Sequence, residues 1–185
     1  MPISKFLSFT EEIDYAYYVT ILKAVRPSNV IGDLTNEPAK PLLEHPYKDI
    51  IALEAMYKAV QQHPEKMIEI VAVYLQIETE KLESCGVFDF YAVFNQVTNE
   101  FTSLLTREKN YLSSDPEAEE LEAGIESLSK FGRLATVDAL SGGDLLKHND
   151  IIELPYSRVF TKLYLEAEKA KYQRELYRIK ARKTE

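Results

Sequence analysis

Apolar residues return at the helical period of about 3.6 along most of this 185-residue chain, and no stretch alternates strongly enough for a half-buried strand. That pattern predicts an all-α fold. Six glycines are few for a fold of many tight turns, and 45% hydrophobic with 28% charged residues is the ordinary composition of one soluble globular domain. The expected architecture is a single-domain, irregular bundle of roughly five to seven helices with a long projecting C-terminal helix. Folding a chain of this length buries about 70% of the surface the unfolded form exposes, so its core needs neither disulfide nor metal. The single Cys85 agrees, because one thiol makes no internal bridge.

The helices are placed by their start and stop signals. Ser8 and Glu11 have capping-box spacing ahead of an apolar face of Ile13, Tyr17, Tyr18, Ile21, Leu22 and Val25, and Pro27 ends that helix. Residues 26–46 hold Pro27, Pro38, Pro41 and Pro46 without a sustained period, which predicts a long extended connection, either a packed arm or a binding loop. A helix from Pro46 carries Ile50, Leu53, Tyr57 and Val60 on one face. The next, from Pro64 to Glu83, is apolar nearly all round between Met67 and Ile77, so it is expected at the centre, with Gly86 as its C′ residue. From Phe88 to Leu112, Phe90, Phe94, Val97, Phe101 and Leu104 form a seam at spacings of four and three. Ser114, Asp115, Pro116 and Glu117 read as a helix start, with Leu121, Ile125 and Leu128 inward and Gly132 at the end. Short turns at 137–140 and 144–147 precede the long helix from Pro155 to Arg182.

Charge bounds the compartment and the partners. Met1 to Leu7 hold too few apolar residues for a signal peptide, and the longest uncharged runs, such as Phe90 to Asn99, fall short of the roughly 18 apolar residues a membrane helix needs. The expectation is a cytoplasmic protein without membrane contact. A net charge of −8 gives the whole chain no attraction to nucleic acid, but the distribution is uneven. Between Ser113 and Ser127 there are six acidic residues and no base, whereas Lys169 to Glu185 hold seven basic against two acidic residues, net +5.

No enzymatic motif is present. Gly32, Gly86, Gly124, Gly132, Gly142 and Gly143 build neither a P-loop nor a dinucleotide fingerprint. His45, His63 and His148 lie far apart, each near a helix boundary. His148 with Asp150 has the letters of a metal or acid/base pair, yet solvated loop histidines explain all three as well. There is no Glu-x-x-His for a di-metal bundle, and Cys85, read as preceding a helix end, lacks an activating cation. Residues 136–152 have a helix-turn-helix outline, but Asp144, Asp150 and Glu153 against Lys147 give the wrong sign for a phosphate-lined groove. The expectation is no enzyme: no catalytic residue, no metal site and no cofactor.

The C-terminal helix carries the informative signal. At 100° per residue, Tyr156, Val159, Phe160, Leu163, Ala167 and Ala170 form one stripe, and beyond Ala170 that side is taken by Lys171, Arg174, Arg178 and Arg182. Leu165, Tyr172, Leu176 and Ile179 form a second apolar stripe on nearly the opposite side. One rigid helix cannot turn opposite faces to one core. The expected division is therefore a helical bundle over residues 1–170 and a projecting basic end over 171–185. Tyr172, Leu176, Ile179, Lys171, Arg174, Arg178 and Arg182 are the expected binding residues for a protein partner or a second copy, with DNA contact through the basic side as the alternative.

The segment from Phe131-Gly132 through Asp150-Ile-Ile-Glu-Leu-Pro-Tyr-Ser-Arg-Val-Phe160 into Tyr172-Gln-Arg-Glu-Leu176 resembles small helical morphogenesis proteins of tailed bacteriophages. The resemblance covers the last third of the chain. It implies a connector subunit, internal virion protein or tail-assembly chaperone, found in the host cytoplasm during assembly or in the virion, acting through protein contacts.

Overall fold

The computed structural model describes residues 1–8, 15–35, 37–113, 122 and 125–183, and the regular elements among them are all helical. In chain order the α-helices are α1 (Ile3–Leu7), α2 (Tyr15–Leu22), α3 (Tyr47–Ala59), α4 (Lys66–Leu75), α5 (Thr79–Leu82), α6 (Val87–Leu112), α7 (Arg133–Ser141), α8 (His148–Ile152) and α9 (Tyr156–Arg182). The chain forms two compact units, residues 1–103 and 104–185, and the dividing point lies within α6.

In the first unit α4 is central, as its all-round apolar character requires: Ile70, Val71, Ala72 and Tyr74 are buried, and α3, whose Ile50 and Leu53 are buried, packs along it. The seam of α6 is also buried at Phe90, Val97 and Phe101, with Tyr57 of α3 stacked on Phe101 at 4.8 Å between ring centroids. The Thr98 hydroxyl gives its proton to the Phe94 carbonyl at 2.7 Å, so the Tyr57 hydroxyl donates to Thr98 at 2.9 Å.

Several expectations fail here for identifiable reasons. The helix expected over 64–83 breaks at Gln76, which adopts the left-handed conformation (φ 55°, ψ 45°) and closes α4 with its N–H on the carbonyls of Ala72 and Val73. Gly86 is therefore not a C′ residue; it precedes α6, and its carbonyl accepts from the Phe90 N–H at 2.9 Å. The Ser8 hydroxyl donates back onto the Lys5 carbonyl at 2.7 Å and closes α1, and the partner expected for it in a capping box falls beyond the described residues. Glu11 and Ile13 lie outside the described residues. On α2 only Leu22 of the expected apolar face is buried, while Tyr17, Tyr18 and Ile21 are exposed.

Residues 26–46 are a packed arm. Ile31, Leu42 and His45 are buried, the Ser28 N–H donates to the Ala92 carbonyl at 3.0 Å, and the Leu42 N–H donates to the Glu100 carboxylate at 2.8 Å. The arm begins where Asn95 of α6 donates to the carbonyls of Leu22 and Val25, each at 3.0 Å, which satisfies the open end of α2. The chain's first residues are fixed as well: Pro2 bridges Gly86 antiparallel, with Ile3 N–H on the Cys85 carbonyl at 2.9 Å and Val87 N–H on the Met1 carbonyl at 3.1 Å.

The second unit is built on the end of α6, α7, α8 and α9. Leu104, Val137, Tyr156 and Val159 are its buried apolar side chains among the described residues. Glu108 ties them together: Arg133 donates to it in bidentate fashion at 2.9 and 3.1 Å, and the Tyr156 hydroxyl donates to the same carboxylate. Tyr111, Phe160 and Tyr164 form an aromatic cluster, and the Arg107 guanidinium lies 5.5 Å from the centre of the Phe160 ring. The helix start expected at Ser114–Glu117 and Leu121 lie outside the described residues. Leu128, expected inward, sits in a 3-10 turn (Ile125–Phe131) and is exposed.

Candidate protein-contact surface on the C-terminal helix

Pro155 and the run of good helix formers behind it set the bounds of α9, which at 1.5 Å per residue is about 40 Å long. Its last turn holds Lys180 and Arg182, favourably placed against the negative end of the helix dipole. The inner stripe is buried at Tyr156 and Val159, then half-buried at Phe160, Leu163, Ala167 and Ala170. It does not stop there, since Arg174 on the same line is also half-buried.

The opposite stripe faces water. Tyr172 is 69% exposed, Ile179 41% and Leu176 36%, with Leu165 exposed on the same side. Three large apolar side chains thus stand exposed on one side of the helix. The basic residues are in part neutralised along the helix itself. Lys171 pairs with Glu168 at 2.7 Å and Arg178 approaches Glu175 at 3.9 Å, while Lys162 and Lys169 both bind Glu166, at 2.7 and 3.0 Å, and hold its carboxyl below the usual range. Arg174 and Arg182 complete the basic side; Arg182 is exposed.

Sequence reasoning missed a second set of exposed apolar side chains in the same unit: Phe131, Leu134, Leu145 and Leu146. The adjacent leucines in a short turn were the available signal. Leu146 follows Asp144, whose carboxylate accepts from its N–H at 3.1 Å and fixes a turn that points both leucines outward.

The histidines sort differently from the expectation that all three are solvated. His45 is 1% exposed: its Nε2–H donates to the Lys40 carbonyl at 3.1 Å, Nδ1 lies 3.2 Å from the Asp49 carboxylate, and the ring stacks on Tyr74. Burial with both nitrogens occupied makes it a structural residue. His63 is exposed beside Glu65. His148, expected to be solvated, instead approaches Asp138 at 3.5 Å, and its buried Nε2 has no hydrogen-bond partner. Cys85 precedes a helix start, not a helix end, and burial with the nearby Asp89 carboxylate pushes its thiol up to about 11.

A groove of about 510 Å³ beside α4 is lined by Lys48, Asp49, Glu69, Glu78 and Thr79 among others. Among the described residues no three His, Cys, Asp or Glu side chains cluster as metal ligands, and no helix is long and apolar enough to cross a membrane. The helix-turn-helix outline resolves into α7 followed by α8, whose five residues are too short to read a major groove. Comparison with known proteins finds no matching family model, no matching curated protein and no matching solved structure.

Proposed function

We propose that the chain is a non-enzymatic structural or assembly protein that acts through protein–protein contacts made by α9, as part of a tailed-phage virion or its assembly pathway. The single observation behind the contact reading is the exposed stripe of Tyr172, Leu176 and Ile179 on the side of α9 opposite its packed stripe. The virion setting rests on the resemblance of the last third to phage morphogenesis proteins, and places the protein in the host cytoplasm during assembly or in the particle. No cofactor or metal enters this reading.

Deleting residues 171–185 should abolish association with a partner and lower the melt only slightly, through loss of half-buried Arg174, while changing Tyr172, Leu176 and Ile179 together to Ser should abolish association with the thermal melt unchanged. Native mass measurements on the chain, alone and with the other proteins of the same particle, read this directly. Normal association of the truncated chain rejects the reading.

A second reading, DNA contact, is favoured by Lys171, Arg174, Arg178 and Arg182 sharing one side of α9. It requires a steep fall of affinity with salt, and loss of binding when Arg174 and Arg178 become Glu.

A further inference from the structure

We infer that the exposed stripe of α9 pairs with the same stripe of a second copy, the two helices running antiparallel and crossing near Arg174. This inference rests on the reading of α9 as a contact surface and names its occupant. Leu165, Tyr172, Leu176 and Ile179 fall within about 60° of one another around the helix, and Lys162, Lys169 and Lys183 fill the remaining seam positions.

Those lysines decide the direction. A parallel pair would place Lys169 against Lys169 and Lys183 against Lys183 along the seam, like charges in direct opposition. An antiparallel pair crossing at Arg174 instead sets Leu176 of each copy against Tyr172 of the other. Ile179 then meets the aliphatic stem of Lys169, and Leu165 that of Lys183.

The flanks agree with the same register. Glu168 on one flank comes opposite Arg182 of the second copy, and Glu166 on the other flank comes opposite Lys180. Each pairing occurs twice because the contact is self-complementary. The basic end of one helix thus lies along the acidic middle of the other, which explains why α9 carries both. Glu166 and Glu168 already hold exposed ion pairs within their own helix. Exposed pairs of this kind are weak and exchange readily.

Sedimentation of the full chain across micromolar concentrations, with helicity checked by circular dichroism, tests the pairing. Wild type should form a dimer that Leu176→Glu weakens at least tenfold. Glu166→Lys with Glu168→Lys, or Lys180→Glu with Arg182→Glu, should each weaken it similarly, and the four changes combined should restore it to within a few-fold of wild type. Cross-linking adds geometry: Leu165→Cys and Lys183→Cys chains should bridge when mixed, whereas Lys183→Cys alone should not. A dimer sensitive to Leu176 that the fourfold swap fails to rescue overturns the antiparallel pairing and leaves the contact surface in place. A monomer at 200 µM, chosen as a ceiling on the order of what such short seams reach, overturns the pairing as well. A dimer indifferent to Leu176→Glu overturns the pairing and also counts against the α9 surface beneath it.

Discussion

The Tyr74 hydroxyl donates a 2.8 Å hydrogen bond to the Glu100 carboxylate. Glu100 also accepts from the Leu42 N–H at 2.8 Å and from Gln96 at 2.8 Å, so one half-buried side chain joins α4, α6 and the packed arm. Burial, and then the Glu100 charge, push the Tyr74 phenol above its usual range, which keeps it a donor. Glu100→Ala leaves the phenol and a backbone N–H without their acceptor and should cost about 3 kcal/mol. Glu100→Gln, which still accepts from Leu42, should cost less than half of that in a urea titration.

Val71→Asp places a carboxylate at the centre of the first unit, where Val71 is fully buried. An unpaired buried charge costs several kcal/mol, so the variant should not fold. A soluble V71D chain with a cooperative melt contradicts the central placement of α4.

The histidines should respond unequally. His45→Ala removes two polar contacts and a stacked ring and is expected to destabilise by about 2–3 kcal/mol. His63→Gln, at an exposed site, should stay within about 0.5 kcal/mol of wild type. Thermal melts of the two single variants separate the roles.

Cys85 should be unreactive at pH 8 in the folded chain. Its thiol is raised to about 11 by burial and by Asp89, against about 8.5 for an unfolded thiol. The fold therefore favours the protonated form, and the sign of the linkage follows: the contribution is complete below about pH 8.5 and is lost as pH rises through about 11. A thiol-exchange assay at pH 8 should show slow reaction in buffer and fast reaction in urea.

Gln76→Gly should stabilise the chain by about 0.5–1 kcal/mol, because glycine takes the left-handed conformation without a Cβ penalty. A lower melting temperature would mean that the Gln76 side chain contributes more than its backbone costs.

The all-α class, the bounds of α9 and the seam of α6 were legible because each rests on a local signal: Pro155 ahead of a helical run, or aromatic residues repeating at spacings of four and three. The break at Gln76 was not, since the apolar run passes through it to Ile77 and glutamine is an ordinary helix former; tertiary packing imposes the turn. The fate of Ser8 was equally hidden, as a hydroxyl near a helix start and one closing a helix end have the same letters. His45 needed the arm's path to become visible as a core residue. The exposed side of α9 was readable because Leu165, Tyr172, Leu176 and Ile179 share one side of a single unbroken helix, opposite its packed stripe.

The antiparallel bridge at Pro2 has a consequence for the order in which the molecule is made. Ser4 binds the carbonyl of Glu83, 79 positions later, and its neighbours Ile3 and Phe6 are buried in the finished fold. A ribosome adding roughly 5–20 residues per second takes about 4–16 seconds to supply that stretch, so this contact cannot close until Glu83 has been made. The 79 positions between Ser4 and Glu83 thus set a least delay before this contact of the first unit can close.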